Sequence, residues 1–212
     1  MKKEKPNIIL VGGGGHCTSV IDVIEQEGKY LIKGIIDTKE HLGKEVLGYK
    51  IIATDDDLEK LYFTCPNAII SVGQIKSNVL RVHLSQKLKA IGYHLPVVIS
   101  PLAYVSKHTI IEEGTIIMHH ALVNAGAKIG KNCIVNTKAN IEHGVVIDDF
   151  CHISTGAIVN GDCVIGRGTF IGSNATISNG VTIPPNSIIS AGTFVIRPFL
   201  FFLFLPVVSY SY

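Results

Sequence analysis

Two hydrophobic patterns divide this chain of 212 residues. In the first half, short apolar runs alternate with segments of helical spacing, whereas the second half repeats every six residues. A period of six fits neither an α-helix, with about 3.6 residues per turn, nor a strand that alternates at every second residue. The sequence therefore predicts two domains of different architecture, at residues 1–96 and 97–197, followed by an atypical apolar tail at residues 198–212.

The first half has the alternation of strands and helices that is typical of βαβ units. Strand patterns lie at residues 7–11, 31–37 and 67–73, and helix patterns follow the first and the last of them. The first helix carries Val20, Ile21, Val23 and Ile24 on its apolar side. We expect an α/β domain with a small, Rossmann-like parallel sheet of three or four strands.

Four successive glycines at residues 12–15 separate the first strand from the first helix. In this position, backbone N–H groups and the helix N-terminus can face an anion, and an acid such as Asp37, at the end of the second strand, can bind a ribose or a base. The pattern suggests a nucleotide or nucleotide-sugar site. Successive glycines differ from the spaced dinucleotide fingerprint, however, and a tight turn alone would explain some of them. His16 is placed either to donate to a phosphate or only to lie near the cap.

The six-residue period runs without interruption from Ile99 to Val195, and every sixth residue is Ile or Val. A small residue, such as Ala139 or Cys151, stands two positions before most of them. Side chains two apart on a strand share a face, so each unit points one large and one small group inward. Stacked units bury a continuous core. The array resembles the left-handed parallel β-helix, whose triangular coil takes about 18 residues and whose hand is an exception to the right-handed crossover rule.

Two histidines are not required by this architecture. His143 follows Ile141 by two residues and falls at an outward corner, and Gly161, one coil later, lies above it and leaves room beside the imidazole. His152 lies nine residues further along. Because histidine can take up a proton near neutral pH, His143 is a candidate general base.

Composition excludes several partners. The chain has 19 Lys plus Arg against 17 Asp plus Glu, which leaves no basic face for nucleic acid. The five cysteines include no C-x-x-C pair. We therefore expect them to be reduced and to pack in the protein core, as is typical of a cytoplasmic protein. The apolar run at residues 198–208 has about ten apolar residues, half of what a membrane span needs. We expect no nucleic-acid partner and no membrane span.

Four stretches carry a family resemblance: VGGGGH at 11–16, IID at 35–37, SVG at 71–73 and IEHGVVIDDFCHIS at 141–154. With them the chain resembles the hexapeptide-repeat acyltransferases that acetylate sugars of bacterial surface glycans, in the branch of sialic acid O-acetyltransferases and UDP-4-amino-sugar N-acetyltransferases. The resemblance implies acetyl transfer from acetyl-CoA to a sugar, in a homotrimer that binds acetyl-CoA between neighbouring prisms. N-acetylation of a nucleotide-linked 4-amino sugar in surface glycan biosynthesis is favoured over O-acetylation of a sialic acid, because the glycine turn suits a nucleotide.

The resemblance also assigns roles. His143 matches the general base, and the N–H of Gly161 is the candidate donor to the oxyanion. His152 matches a residue that contacts acetyl-CoA, and we expect Ser173 and Ala191 to contact it as well. The substrate-binding positions are Gly14, Gly15, His16, Asp37 and Gly73.

Three features depart from the family pattern. Gly144 stands where Asp or Glu usually follows the catalytic histidine, Cys17 and Thr18 replace the Lys or Gly common after the glycine–histidine element, and the apolar tail replaces further coil. Two other interpretations stay open. One is a zinc hydratase on the same β-helix, which needs three converging histidines; the spacing of His143 and His152 puts them out of register, so that we expect no metal. The other is a catalytically impaired homologue that serves as a binding module.

Overall fold

The computed structural model of the protein describes residues 5–196. An α/β domain comes first. Its strands are β1 (Asn7–Val11), β2 (Leu31–Ile36), β3 (Glu45–Val46), β4 (Tyr49–Ala53) and β5 (Ala68–Ile70), and its helices are α1 (Gly15–Glu27), α2 (Leu58–Tyr62) and α3 (Val79–Ile91). Short 3-10 turns lie at Lys39–His41 and Asp55–Asp57. The predicted apolar tail at residues 198–212 lies outside the described residues.

The five strands form one sheet in the order β3-β4-β2-β1-β5. β1 pairs in parallel with β2 and with β5, and β2 with β4, as the βαβ pattern predicts. β3 runs antiparallel to β4, so the complete sheet is mixed. Neither of these two strands was predicted. β4 buries only Ile51 and Ala53 and exposes Lys50 and Ile52, so it lacks the continuous buried run of a central parallel strand.

Helices cover both sides of the sheet. α1 buries Cys17, Val20, Ile21, Val23 and Ile24, and these residues share one apolar cluster with the first strands of the second domain. α2 and α3 bury Leu58, Leu84 and Leu88 against the opposite side. None of the helices in residues 5–196 is both long enough and apolar enough to cross a membrane.

The second domain is a left-handed parallel β-helix whose strands form three sheets of six, six and five members. We call the sheets the docking face, the second face and the third face. The docking face contains β6 (Val98–Ile99), β9 (Ile116–Ile117), β12 (Ile134–Val135), β15 (His152–Ile153), β18 (Phe170–Ile171) and β21 (Ile188–Ile189). The second face contains β7 (Tyr104–Val105), β10 (Leu122–Val123), β13 (Asn140–Ile141), β16 (Ile158–Val159), β19 (Thr176–Ile177) and β22 (Phe194–Val195). The third face contains β8 (Ile110–Ile111), β11 (Lys128–Ile129), β14 (Val146–Ile147), β17 (Val164–Ile165) and β20 (Thr182–Ile183).

The register follows the hexapeptide arithmetic. Each strand pairs in parallel with the strand 18 residues away, as Leu122 does with Asn140. The predicted inward Ile and Val positions, such as Ile141, and the small positions, such as Ala139 and Cys151, lie in one buried core. The fold class predicted from the sequence is therefore confirmed.

Besides the apolar cluster around α1, polar contacts join the α/β domain to the β-helix. Asn78 Nδ2 donates to Asn186 Oδ1 at 3.2 Å, and on α1 the carboxylate of Asp22 lies 2.8 Å from His119 Nε2. His119 Nδ1 lies 2.6 Å from Ser100 Oγ.

The turns that lead from the second face to the third, such as residues 142–145, form the corner of the prism opposite the docking face. We call it the far corner.

Candidate active site

The glycine turn lies at the carboxyl edge of the sheet. Gly12 has φ 110, and a Cβ there would collide with Val72, so only glycine fits. Around Gly14 and Gly15, by contrast, no other part of the described chain lies within 4 Å of a Cβ position. No side chain caps α1, and the N–H groups of Gly15 and His16 bond to no acceptor within residues 5–196, so this end of the helix favours an anion.

Asp37 fastens the glycine turn to the end of β2. Its Oδ2 accepts the Gly13 N–H at 2.5 Å, its Oδ1 accepts the Thr38 N–H at 2.6 Å, and His41 Nδ1 lies 3.2 Å from the same Oδ1. Partial burial raises the pKa of the Asp37 carboxyl, but these donors outweigh burial and the net pKa is lowered. Asp37 is therefore an ionised acceptor that holds the turn.

A cleft of about 600 Å³ opens between the glycine turn and the docking face. It is lined by Gly12, Gly13, Gly14, Gly15, His16, Asp37, His41, Val72, Gly73, Gln74, Ile75 and His152. All five predicted substrate-binding residues therefore line one cavity, together with His152 from the β-helix. A cavity of this size at the carboxyl edge of a parallel sheet is a typical ligand site.

His16 carries a buried ring nitrogen without a partner. Its Nε2 has no hydrogen-bond partner among the described residues, although the ring lines the cleft. Burial, followed by the nearby charge of Arg81 and by His152, lowers the pKa of His16 to about 3. The imidazole is neutral at pH 7 and keeps one nitrogen for a ligand, which favours the phosphate-binding alternative over a role at the cap alone.

His152, on β15, has both ring nitrogens bonded within the chain. Nδ1 donates to the Gln74 carbonyl at 2.5 Å, and Asn136 Nδ2 donates to Nε2 at 3.1 Å. Burial lowers the pKa of His152 to about 4 despite the bond to Gln74. The predicted contact with acetyl-CoA would have to use the ring edge, since no nitrogen is left to bond.

Arg81 is a buried cation beneath these two histidines. Nη1 donates to the carbonyls of Ile70 at 3.1 Å and Val72 at 2.6 Å, and Nη2 donates to the carbonyl of Asn132 at 2.9 Å. Burial lowers the pKa of Arg81 to about 10, so the side chain stays charged at pH 7. It ties β5 and α3 to the β-helix, and its charge helps keep both histidines neutral.

His143 lies on the far corner, exposed and directly below Gly161. A Cβ on Gly161 would lie 2.5 Å from His143 Cε1 and 2.7 Å from Nε2, so any larger residue would displace the imidazole. The Gly161 carbonyl accepts the Gly180 N–H at 2.9 Å, whereas its own N–H is bonded to no acceptor within residues 5–196. A free donor above an exposed imidazole is the pair that acyl transfer needs.

Carboxylates flank His143 from two coils. Gly144 has φ 68, and a Cβ there would collide with Asp162 Oδ1 from the coil above. Asp162 therefore fills the space that a side chain at 144 would need. On the other side, Asn124 donates to Glu142 Oε2 at 2.9 Å, and this bond, together with one from Asn140, lowers the pKa of Glu142. Both carboxylates leave the imidazole accessible.

Ser173 and Ala191 lie on the corner that leads from the docking face to the second face. They occupy the same place on successive coils, 18 residues apart. Ser173 Oγ lies 3.0 Å from Ser154 Oγ, and Ala191 is exposed. They form a column on the corner next to the strand of His152.

Apart from the column of Ser173 and Ala191, the predicted site residues thus fall into two groups. Gly14, Gly15, His16, Asp37, Gly73 and His152 meet in the cleft. His143 and Gly161 meet on the far corner, on the opposite side of the prism. Within one protomer, the candidate base does not reach the candidate substrate cleft.

The sequence interpretation missed Arg81, Gln74 and Asn136. Arg81 left a signal, because it stands in line with Leu84, Ser85 and Leu88 on the buried side of α3, where a charge is unusual. Gln74 left none, since its Nε2 donates at 2.7 Å to the carbonyl of Phe150, 76 residues away. Within residues 5–196, no group of three or more His, Cys, Asp or Glu side chains is placed to hold a metal ion.

Two family models match the chain. The model described as the PglD N-terminal domain matches residues 7–88, and the model described as bacterial transferase hexapeptide (six repeats) matches residues 162–197. The two matches fall on the α/β domain and on the later coils of the β-helix. No curated protein matches the chain.

Solved structures match nearly the whole chain. The acetyltransferase domain of PglB from Neisseria gonorrhoeae FA1090 is 30% identical with a TM-score of 0.84, over 92% of this chain and 93% of that chain. The same domain in complex with acetyl coenzyme A is 29% identical with a TM-score of 0.81, over 91% and 93% of the two chains.

Perosamine N-acetyltransferase from Caulobacter crescentus matches with 28% identity and a TM-score of 0.85, over 91% of this chain and 89% of that chain. That structure is a variant with one histidine replaced by asparagine, in complex with CoA and GDP-perosamine. Each of these matches covers about nine tenths of the relative's own chain, so the similarity includes both domains of this protein. The chain therefore belongs to the PglD-type family of hexapeptide-repeat sugar N-acetyltransferases.

Proposed function

We propose that the protein transfers the acetyl group of acetyl-CoA to the amine of a nucleotide-linked amino sugar. The observation that carries the proposal is the cleft, where the open N-terminus of α1 and the unpartnered Nε2 of His16 face one cavity. The Caulobacter relative, whose structure holds CoA and GDP-perosamine, and the Neisseria domain, whose structure holds acetyl coenzyme A, support it.

The cleft binds the nucleotide through its diphosphate. The N–H groups after Gly14 and Gly15 donate to phosphate oxygens, and the macrodipole of α1 favours the negative charge. His16, neutral and with Nε2 free, donates a further hydrogen bond as the Nε2–H tautomer. Gly73 keeps this space open, because a Cβ there would contact the His16 side chain at 3.5 Å.

His143 supplies the base for the chemical step. Acetyl-CoA provides the acetyl group as a thioester. His143 takes a proton from the amine as the nitrogen bonds to the thioester carbonyl carbon. The carbon–sulfur bond then breaks, and the protonated His143 returns this proton to the leaving CoA thiolate, which is released as the thiol. The Gly161 N–H donates to the carbonyl oxygen while it carries negative charge. Asp162 and Glu142 flank the turn that carries His143.

Assembly brings the two groups of residues together. Because the far corner lies opposite the docking face, the cleft of one protomer needs the His143 of a neighbour. A homotrimer of parallel prisms meets this need with three equivalent sites, since a cyclic arrangement closes without unpaired surfaces. Acetyl-CoA then lies between two prisms, along the column of Ser173 and Ala191 and past the ring edge of His152. A cytoplasmic location is part of the same proposal.

The test is to incubate the protein with acetyl-CoA and a panel of nucleotide-linked amino sugars and sialic acids, and to follow release of the CoA thiol. We expect release with an amino sugar and an amide product that resists hydroxylamine, whereas an O-acetyl ester would be cleaved. His143→Ala should lower the rate by about a hundredfold or more.

His108→Ala is the matched control, because His108 is an exposed histidine in a turn of the same corner. It should behave as the parent does. Absence of thiol release with every acceptor would leave the protein as a binding module and reject the proposal. Equal rates for His143→Ala and the parent would remove His143 from the chemistry.

A further inference from the structure

The cleft continues into a second compartment of about 270 Å³, which we call the side pocket. It is lined by Val11, Gly12, Ile36, Asp37, Thr38, Lys39, Thr54, Asp55, Asp56, Val72, Leu80 and Leu84. Gly12, Asp37 and Val72 line both compartments, so the two cavities meet at the glycine turn. A group joined to a diphosphate at the N-terminus of α1 can therefore enter the side pocket.

The walls of the side pocket are apolar. Val11, Ile36 and Leu84 come from the buried core, and Leu80 lies at the rim with 54% of its surface exposed. Aliphatic side chains of this kind pack against the faces of a planar ring. The walls thus suit a nucleobase, and only the polar groups at the rim can distinguish one base from another.

The rim of the side pocket carries two carboxylates, Asp55 and Asp56, that are available to a ligand. Asp57 is occupied, since it accepts the Thr54 N–H at 3.0 Å and the Thr54 hydroxyl at 3.1 Å in a capping box. This box fixes the 3-10 turn that carries Asp55 and Asp56. Neither of them forms an ion pair within residues 5–196, and both line the side pocket. At neutral pH, ionised carboxylates accept hydrogen bonds and cannot donate them.

We propose that the side pocket selects guanine, with the N1–H and the 2-amino group of the base donating to Asp55 and Asp56. The inference rests on the proposed function, because it concerns the nucleotide part of the same substrate. Guanine presents these two donors side by side, and its O6 can accept from Lys39 at the same rim. Uracil presents a single N–H between two carbonyl oxygens, so a rim with two carboxylates would face acceptor groups that it repels.

The acidic rim is not the sole evidence for a ligand. The larger compartment holds the unpartnered, buried Nε2 of His16 and the uncapped N-terminus of α1, which together call for an anionic group. Since both compartments share the glycine turn, a nucleoside diphosphate fills them with phosphate at one end and base at the other. The sugar then extends toward the docking face.

Calorimetric titration of the full chain with GDP and with UDP tests the base preference without any need for turnover. We expect GDP to bind about tenfold more tightly or better. Asp55→Asn and Asp56→Asn should each lower the affinity for GDP by about tenfold, because a charged acceptor is lost. At least one of them should also gain affinity for xanthosine diphosphate, since an amide can donate to the additional carbonyl of xanthine.

Glu59→Gln is the control, as it removes an exposed carboxylate on α2 that does not line the side pocket. It should leave all three affinities unchanged. UDP binding as tight as GDP, or aspartate variants with parental nucleotide preference, would overturn the guanine assignment and leave acetyl transfer standing. If neither nucleotide binds and no nucleotide sugar supports thiol release, the proposed function fails as well. The gain for xanthosine diphosphate separates base contact from misfolding, which can only weaken binding.

Discussion

The cleft and the far corner of this protein are built in opposite ways. In the cleft, His152 has both ring nitrogens bonded and His16 is held neutral above a buried Arg81. At the far corner, His143 is exposed beneath Gly161, and its flanking carboxylates leave the ring accessible. One region is fixed by contacts between domains, and the other is left open on a rigid scaffold.

This difference indicates a division of labour. A site that must position a large substrate benefits from groups locked before binding, because their ordering is already complete. A base that must exchange protons needs access to the reacting nitrogen and a stable backbone beneath it. The β-helix provides such a backbone at the far corner, and a neighbouring protomer can provide the substrate.

Mixing two inactive variants gives the sharpest test of this division. His143→Ala removes the proposed base, and His16→Ala removes the free ring nitrogen of the cleft, so each alone should lower the rate by about a hundredfold or more. If every site joins the cleft of one protomer to the base of another, co-assembled variants regain about a quarter of the sites through random assortment. Thiol release by the co-expressed and co-purified mixture measures the recovery.

A mixture of the two variants, folded separately and without exchange of subunits, is the control, and it should stay inactive. If the co-assembled variants release almost no thiol, His143 and the cleft act within one protomer. This result would contradict the position of the far corner.

Removal of Arg81 should cause the next largest effect, on stability. Arg81→Met leaves the carbonyls of Ile70, Val72 and Asn132 without their donor in a buried place, so the free energy of unfolding should fall by about 3 kcal/mol or more. Arg167→Met is the matched control: Arg167 pairs with Asp149 at 2.9 Å with half its surface exposed, and its loss should cost less than about 1 kcal/mol. Urea unfolding measures both, and equal losses would show that Arg81 does not hold the domains together.

Much of this architecture could be predicted from the sequence, for a physical reason. Inside a narrow prism every sixth residue must fill the same space, so the pattern from Ile99 to Val195 determines the register and with it the stacking of Gly161 over His143. The family and its acetyltransferase activity, which the quoted motifs predicted, are confirmed by the relatives. The roles of the individual residues and the domain boundary at 96 and 97 stay predictions.

The remaining features depend on packing between distant segments. The sequence left His152 available for acetyl-CoA, but the Gln74 carbonyl, 78 residues away, occupies its Nδ1. Gly144 looked like a lost carboxylate, yet Asp162 from the next coil fills that space. Neither contact follows from local pattern, because each needs the docking of the α/β domain or the stacking of turns.

The smallest effect per side chain is the loss of stability in acid. Unfolded histidine has a pKa near 6.5, whereas burial lowers the pKa of His16 to about 3 and of His152 to about 4. Between pH 7 and pH 5, His16 and His152 therefore bind protons in the unfolded chain but stay neutral in the folded protein. Stability is fully present above pH 6.5 and falls as the pH is lowered, by about 2 kcal/mol per histidine at pH 5.

Urea unfolding at pH 7 and pH 5 measures this loss. His152→Gln removes one of the two titrating groups and should lose about 2 kcal/mol less on acidification than the parent, even though it begins less stable. His83→Gln removes an exposed histidine on α3 and should follow the parent. If the free energy of unfolding of His152→Gln falls between pH 7 and pH 5 by as much as that of the parent, His152 takes up its proton in the folded state. The contrast with the exposed histidine of the far corner would then disappear.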